Sequence, residues 1–435
     1  METNYQAPKH GAPASWGRFL CIAIVSGFSL IFISSLNAHT LNSAIVSQWN
    51  NALLDAIRQE STAPCLASRN LAMLHIAMFD AANASESQYE GFYYKESAPH
   101  NMIAELVAAG AAEAIANVLY PSQKARFEKL SSQQTDRSNS DHVRSLEFGA
   151  HVARLIFEQR ENDNSSLSVT YIPRQETGKW TRTPPQFKPP EMPHWKNVVP
   201  FAIEDPAIFA TQGPPSLQSA EYAADLKEVK QLGSRGSQYR TATQTETANF
   251  WSCFSYTATP AGHWNEIACR LIAEHKIDFM ESLRLMALLN IAMADAGIVG
   301  WQEKYKTHLW RPIHAIRQAD QDGNPSTQAE LNWQPYLETP PHPEYVSGHS
   351  VFSGSGAEIL RLYFGTDRIA FIATSDSVPG VERRYQSFSE CEQEIAISRV
   401  YGGIHYRFSA IDGLIISHAI AREIFKNHLT KTDKH

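Results

Sequence analysis

The sequence predicts an all-α protein, and three observations support this fold class. Apolar residues recur at helical spacing along most of the chain, and no strand-like alternation repeats. The segment AELVAAGAAEAIANVL (residues 104–119) combines high helix propensity with small side chains that allow close packing. The third observation is composition: 435 residues with 43% hydrophobic and 19% charged side chains can bury a large core, which excludes disordered and collagen-like classes.

Residues 1–38 form a predicted targeting segment. Lys9 and Arg18 precede Phe19–Leu36, an uncharged stretch of 18 residues, and the small residue Ala38 follows it. This order is typical of a secretory signal peptide, and the length also reaches the lower limit for a membrane span. We therefore expect a periplasmic or secreted protein, or alternatively one that residues 19–36 anchor in a membrane. We expect no later stretch to be apolar enough to cross a bilayer.

The rest of the chain, residues 39–435, is predicted to form one helical domain. Its N-terminal helices span about 44–160 and its active-site core about 219–428. Between them, ten of the 23 prolines fall within residues 173–215, which predicts an extended connection that shapes a functional mouth. The predicted helices are Ala44–Glu60, Leu66–Ala84, Met102–Leu119, His142–Gln159, one from near Ser219, Gly262–Glu274, Asp278–Val299, Trp301–Arg317, Ser347–Tyr363, Glu390–Tyr401 and Phe408–Lys426. Polar residues 320–345 are predicted to be a loop, and we find no internal repeat of 20–50 residues.

Charge and cysteine content exclude two further classes. The net charge of −7 gives no chain-wide basic surface for nucleic acid. Beyond Cys21 in the targeting segment, the cysteines are Cys65, Cys253, Cys269 and Cys391. No CxxC spacing occurs, so we do not expect a zinc site. Buried thiols and one or two disulfides both remain open.

The first motif with chemical content is KYKTHLWRP (residues 304–312). Lys304 and Arg311 are seven residues apart, so on one helix they would differ by roughly 20° in azimuth and could converge on an anion. A solvated basic face is the ordinary alternative. The aromatic neighbours, among them Trp301 and Tyr305, favour a pocket.

The second motif is HPEYVSGHS (residues 342–350), which runs directly into an apolar helix. Ser347 can cap this helix, and Gly348 lets the backbone approach a ligand closely. The amide groups at the helix start form an anion site, beside which His349 could donate or accept a proton. The alternative is an ordinary serine cap with an incidental histidine.

The third motif is SRVYGGIH (residues 398–405). Arg399 could end its helix pointing at the same anion, while Gly402 and Gly403 break the regular path and let His405 turn inward. A structural histidine beside two glycines is the alternative. Together, the three motifs supply one lysine, two arginines and two histidines, which is what binding a tetrahedral oxyanion requires.

The ordered patterns KX6RP, SGH and SRxxxGxH resemble the signature of the vanadium-dependent haloperoxidases. These enzymes share a superfamily with type 2 phosphatidic acid phosphatases and bacterial acid phosphatases. The longer stretches ADAGIVGWQEKYKTHLWRPIHAIR, HPEYVSGHSVFSG and AISRVYGGIHYRF also look like haloperoxidase segments. The resemblance covers roughly residues 44–428, and it implies a pair of helical bundles.

The resemblance implies vanadate as the cofactor. Its oxygens would be contacted by Lys304, Arg311, Ser347, the Gly348 amide and Arg399. His405 would bond to vanadium through a ring nitrogen, and His349 would be the acid–base residue. His342 and Trp301 fall at halide-pocket positions.

Two residues depart from the family pattern. Val346 stands where the family usually has proline before the SGH, so the loop loses a fixed φ. Ser409 stands where many members have aspartate four residues after the histidine that corresponds to His405. Asp412 is a candidate replacement for that carboxylate. Because neighbouring groups determine which ring nitrogen a histidine presents, this departure bears on vanadate binding.

The implied activity is oxidation of halide by hydrogen peroxide to hypohalous acid, which would then react with a small organic acceptor. His342 in place of phenylalanine favours bromide or iodide over chloride. Phosphomonoester hydrolysis is an alternative, with His405 forming a phosphohistidine and His349 protonating the leaving group. A non-catalytic periplasmic oxyanion-binding protein is a third possibility, although it would need neither histidine. The sequence leaves the oligomeric state open.

Overall fold

The computed structural model describes residues 29–254 and 256–432, with side chains from residue 43 onward. Most of the predicted targeting segment therefore lies outside the described residues. The described part contains thirteen α-helices and one short antiparallel hairpin, which confirms the all-α class. The helices are α1 Ser29–Gln59, α2 Pro64–Glu86, α3 Ala104–Leu119, α4 Lys124–Gln134, α5 Ser140–Arg160, α6 Ala220–Leu232, α7 Ala242–Phe250, α8 Thr259–Glu274, α9 Phe279–Thr307, α10 Pro312–Arg317, α11 Gly348–Phe364, α12 Phe388–Tyr401 and α13 Arg407–Asn427. The hairpin pairs β1 (Phe371–Thr374) with β2 (Glu382–Tyr385), and Phe371 lies opposite Tyr385.

The helices form two groups that share one core. In the N-terminal group α2, α3 and α5 pack together, and in the C-terminal group α9 and α13 pack on α11. Helices α2 and α9 pack directly against each other and join the groups. Both are buried along most of their length because their sequences are apolar on nearly every face.

The two central helices belong to a long-range internal repeat. Residues 71–81 (LAMLHIAMFDA) match residues 286–296 (MALLNIAMADA), and Trp49-Asn50 of α1 matches Trp264-Asn265 of α8. Each residue in the second copy lies 215 positions after its counterpart. A search for short repeat periods misses this duplication of a whole helix pair.

The repeated residues make equivalent contacts. His75 Nε2 lies 3.1 Å from Asn50 Oδ1, while Asn290 and Asn265 exchange two amide hydrogen bonds of 2.8 Å. Asp80 accepts three backbone N–H groups from residues 92–94, and Asp295 accepts three from residues 201–203. Each buried aspartate therefore ties a loop of three successive amide groups to its central helix.

One predicted helix boundary is wrong, and it changes the geometry of the first motif. Residues 279–307 form one continuous helix, α9, rather than two helices that meet near residue 300. His308 ends α9 in a left-handed conformation with φ of 55°, and Arg311 is the residue before α10. Lys304 and Arg311 therefore do not share a helix face, and the prediction that one helix carries both is wrong.

Other features were not expected from the sequence. Helices α4 and α7 and the hairpin had no predicted counterpart. Helix α9 is long and apolar enough to span a membrane by length and composition, contrary to the expectation for the chain after residue 38. Within the described structure, 94% of its most apolar window is buried, as in the core helix of a folded protein. The sequence left buried thiols and disulfides both open. The described structure has buried free thiols at Cys65, Cys253, Cys269 and Cys391.

The proline-rich connection (residues 173–215) contains two short 3-10 turns and no α-helix. It lies along the turn that follows α9, where the Trp180 amide donates to the His308 carbonyl at 2.7 Å and the Trp310 amide donates to Gly178 at 3.0 Å. Lys188 and Glu191 of the connection line the cavity described next. Residues of the connection therefore lie on the wall of this cavity.

Candidate oxyanion site

A cavity of about 440 Å³ lies at the N-terminal end of α11. Six of the nine residues that the sequence predicted for the site are on its wall. They are Trp301, His342, Gly348, His349, Arg399 and His405. Lys304, Arg311 and Ser347 are fully buried behind this wall. The three motifs, which are separated along the chain, therefore meet at one place.

Hydrogen bonds on both ring nitrogens determine the tautomer of His405. Nδ1 lies 2.7 Å from Glu344 Oε1, and Nε2 lies 3.1 Å from Nη1 of Arg311. Because a guanidinium can only donate, Nε2 must accept and Nδ1 must carry the proton. Burial, reinforced by the nearby Arg311, Lys304 and Arg399 charges, holds the pKa of His405 well below its usual value. His405 therefore presents a neutral ring with a lone pair on Nε2.

Glu344 is the carboxylate that faces His405, and sequence reasoning missed it. Its Oε1 also accepts the Tyr406 amide at 3.0 Å, and burial raises its pKa to about 7 against the opposing charges of Arg311 and Lys304. Asp412, the candidate replacement for the aspartate usual in the family, instead accepts the Tyr345 hydroxyl at 2.7 Å. The only signal in the sequence was that Glu344 stands inside the motif of residues 342–350. An acidic residue in a predicted loop is ordinarily solvent-exposed, so this signal did not indicate a partner for His405.

Arg399 and His349 each keep an unpaired polar atom on the cavity wall. Arg399 Nη1 donates to the Trp251 carbonyl at 2.6 Å, whereas its Nε has no hydrogen-bond partner among the described residues. His349 Nε2 is likewise buried and unpaired within the described chain. Burial, followed by the charges of Arg399 and His263, holds the pKa of His349 well below its usual value. His349 is therefore neutral and able to accept a proton.

Lys304 is directed at the backbone behind the cavity. Its Nζ donates to the carbonyls of Pro343, Glu344 and Val346, and the Glu344 contact measures 3.0 Å. Burial and the Arg311 charge hold the pKa of Lys304 well below its usual value. Lys304 thus fixes the loop before Ser347 from behind the cavity, and its Nζ is directed at backbone carbonyls in this arrangement.

His342 and Trp301 lie together on one side of the cavity, with ring centroids 5.1 Å apart. Arg311 Nη2 lies 3.0 Å from His342 Nδ1, which also lies 3.0 Å from the Pro343 carbonyl, and Nε of the same guanidinium donates to the His342 carbonyl at 2.9 Å. Burial, followed by the charges of Lys304 and Arg311, keeps the pKa of His342 well below its usual value. The two predicted halide-pocket residues therefore form an aromatic, uncharged surface.

The start of α11 has the predicted cap. Ser347 is its N-cap, and its hydroxyl accepts the Ser350 amide at 3.5 Å. The opposite side of the cavity depends on Gly403, which has φ of 77° and whose Cβ, if present, would lie 2.3 Å from the Gly233 carbonyl. Only glycine fits there, so the chain can turn directly from α12 to His405.

This donor set fits a tetrahedral oxyanion such as vanadate. Burial lowers the pKa of both Arg311 and Arg399 to about 10, so both stay charged at neutral pH. The unpaired Arg399 Nε and His349 Nε2 are buried polar atoms, which normally have partners in folded proteins. An oxyanion in the cavity would supply an acceptor for the guanidinium and a counter-charge for the cations.

Comparisons with known proteins find similarity to vanadium haloperoxidases. The model of the VCPO second helical-bundle domain matches residues 284–433, which include all nine predicted site residues. The vanadium chloroperoxidase of Curvularia inaequalis is 26% identical over 509 aligned residues, which cover 90% of this chain and 81% of that protein. The crystal structure of a bacterial vanadium-dependent iodoperoxidase superposes with a TM-score of 0.78 at 28% identity, and the match covers 90% of this chain and 97% of the other. A holo-type bacterial vanadium-dependent chloroperoxidase shares the fold, with a TM-score of 0.69 at 15% identity over 84% of this chain and 92% of that one.

Proposed function

We propose that this protein is a vanadium haloperoxidase, which oxidises halide ions with hydrogen peroxide to hypohalous acid and uses vanadate as its cofactor. The observation that carries the proposal is the buried contact of Arg311 with Nε2 of His405, beside Arg399 Nε and His349 Nε2, which have no hydrogen-bond partner among the described residues. The known activities of the similar chloroperoxidase and iodoperoxidase support the same reaction type.

The chain would hold vanadate through fixed positive charge and one imidazole nitrogen. Arg311 and Arg399 would donate to its oxygens, with the Gly348 amide at the start of α11 as a further donor. His405 Nε2 would be the ring nitrogen that bonds to vanadium, in place of its contact with Arg311 Nη1, because Glu344 occupies Nδ1–H. When bound, vanadate supplies a pentavalent Lewis acid that activates peroxide towards halide without a redox partner.

His349 is the residue suited to accept a proton from hydrogen peroxide. Its ring is neutral, lies on the cavity wall and has an unpaired Nε2. Lys304 would act through its charge and through the 343–346 backbone that it holds. The buried site excludes bulk water, which strengthens each of these electrostatic interactions.

Bromide or iodide is the proposed halide, and a small organic molecule outside the cavity is the proposed final acceptor. Both halides are oxidised more readily than chloride. The paired rings of Trp301 and His342 offer a polarisable, uncharged surface next to Arg311. We further propose that the enzyme acts in the periplasm or outside the cell, on the basis of the targeting pattern in residues 1–38.

The test is a dye-halogenation assay with vanadate and hydrogen peroxide, run separately with iodide, bromide and chloride. We expect turnover with iodide and bromide, and its loss in His405→Ala and in His349→Ala. His100→Ala is the control, because His100 is exposed and far from the three motifs in sequence. Absence of halogenation by vanadate-loaded protein with all three halides would refute the proposal.

Phosphomonoester hydrolysis stays a second candidate because the same Nε2 lone pair of His405 could attack phosphorus. The matching assay uses an aryl phosphate without peroxide. Cleavage of the ester that vanadate inhibits, together with no halogenation, would favour the hydrolase. Vanadate binding without either turnover would favour an oxyanion-binding protein.

A further inference from the structure

Cys253 on the wall of the oxyanion cavity is paired with the imidazole of His263 behind it, and neither belongs to the groups assigned above. Cys253 Sγ lies 3.5 Å from His263 Nδ1, and the two residues are 5% and 3% exposed. Cys253 lines the cavity together with Arg399 and His349. Its φ of 49° is a left-handed conformation that residues other than glycine seldom adopt. The loop after α7 therefore holds this side chain in a defined position beside His263.

The surroundings of this thiol are electropositive. Burial lowers the pKa of His263, but the facing Cys253 and the Asp376 charge outweigh burial, so the pKa of His263 is raised overall. Arg399, whose Nε is unpaired among the described residues, carries a full positive charge in the same cavity. Thiols react as thiolates, and histidine or arginine neighbours favour that form.

The other described cysteines have no such pairing. Burial raises the pKa of Cys269 to about 12, and it raises the pKa of Cys65 and Cys391 well above the usual value. These three thiols are held in the protonated, unreactive form inside the core. Among the described cysteines, three thiols are therefore inert, and one faces both a base and the oxyanion cavity.

We infer that Cys253 is a modification site, at which hydrogen peroxide oxidises the thiol to a sulfenic acid with His263 as the proton carrier. His263 Nδ1 takes the S–H proton, and the thiolate attacks one peroxide oxygen. The S–O bond forms as the O–O bond breaks, and the departing hydroxide takes the proton from His263 to give water. Sulfur loses two electrons and the peroxide gains them, so one thiol and one peroxide yield one sulfenic acid and one water.

The inference rests on the proposed function only because that function brings peroxide into the cavity. The new S–OH group would occupy space beside Arg399 and present an oxygen to its unpaired Nε. Oxidation of Cys253 would therefore compete with oxyanion binding, and a thiol reductant would reverse the effect. The modification would lower activity when peroxide accumulates.

The experiment exposes the purified protein to hydrogen peroxide without vanadate or halide and traps sulfenic acids with dimedone. Mass spectrometry then measures the labelling rate of each cysteine-containing peptide. We expect Cys253 to label at least about tenfold faster than Cys269 or Cys391, since even one unit of thiol pKa changes the thiolate fraction about tenfold near neutral pH. Cys253→Ser should remove the label, and His263→Gln should slow labelling at Cys253 by a similar factor.

The buried thiols in the same sample report on folding. If His263→Gln unfolded the protein, labelling at Cys269 and Cys391 would rise, and His263→Asn would replace it as the test. Equal labelling of all four described cysteines, or an unchanged Cys253 rate in both folded His263 variants, would overturn the inference. Because vanadate and halide are absent, a failure of the proposed halide oxidation leaves this measurement unaffected, and the two results are independent.

Discussion

Replacement of Glu344 by glutamine should change how the stability of the fold depends on pH. Glutamine keeps the size of the side chain and an acceptor for His405 Nδ1–H, but it cannot titrate. Burial raises the pKa of Glu344 from 4.5 to about 7, against the opposing effects of Arg311 and Lys304. The folded protein therefore binds this proton more tightly than the unfolded chain does.

The direction and size of the effect follow from this shift. The stability that comes from the neutral carboxyl is fully present below pH 4.5 and is lost as the pH rises through 7. A shift of about 2.5 units corresponds to about 3 kcal/mol. The free energy of unfolding of the wild type, minus that of Glu344→Gln, should therefore fall by about 3 kcal/mol between pH 4.5 and pH 8.

Urea unfolding at a series of pH values measures this difference and leaves charge interactions unscreened. Other titrating groups contribute nearly equally to both proteins and cancel in the subtraction. Glu86→Gln is the matched control, because Glu86 is exposed at the end of α2 and its difference curve should be flat. A pH-independent difference for Glu344→Gln would refute the assignment of a buried, perturbed carboxyl facing His405.

Three further outcomes are expected. Arg399→Ala should weaken vanadate or phosphate binding in calorimetry tenfold or more, because a hydrogen bond from a charged group contributes about 1.5–3 kcal/mol, and unchanged affinity would remove Arg399 from the site. Ser409→Asp should lower the melting temperature, because it places a second carboxylate beside Glu344. Adding Glu344→Ala to this variant should recover part of the loss. If the effects of the two substitutions on the melting temperature were simply additive, the two positions would not be in contact. His75→Leu should lower the free energy of unfolding in urea by about 1–3 kcal/mol, because it leaves the Asn50 amide oxygen unpaired. His75→Asn should lower it less, because it reproduces the asparagine pair of the second repeat. The reverse order would contradict the equivalence of the two copies.

The helices could be predicted because they depend on local signals, whereas the meeting of the three motifs was expected from their joint occurrence and from the family resemblance. Helical spacing of apolar residues fixed most boundaries within a few residues, as in α3 and α11. Ser347 is a strong cap signal directly before an apolar run, and Gly403 is a residue that only a special backbone conformation requires. Each of these features depends on only a few neighbouring residues.

The errors come from contacts that tertiary structure creates. Helix α9 ends because His308 adopts a left-handed conformation while residues 178–180 pair with the turn, and neither glycine nor proline marks that point. Glu344 became the partner of His405 through a contact across 61 residues, and the Cys253–His263 pair forms only when the loop after α7 closes onto α8. Spacing along the chain carries no information about such contacts.

The two copies of the duplicated helix pair have different roles. In the second copy, the residues after the shared Asp295 lead to Lys304 and Arg311, whereas the positions 215 residues earlier hold Tyr89 and Glu96. The first copy thus has the helical framework without these two cations, and its helix α2 supports α9 by packing against it. The second copy carries the chemistry, so the first copy has a structural role alone. A substitution at Asp80 should therefore lower the rigidity of the whole protein, whereas a substitution near Arg311 should abolish oxyanion binding.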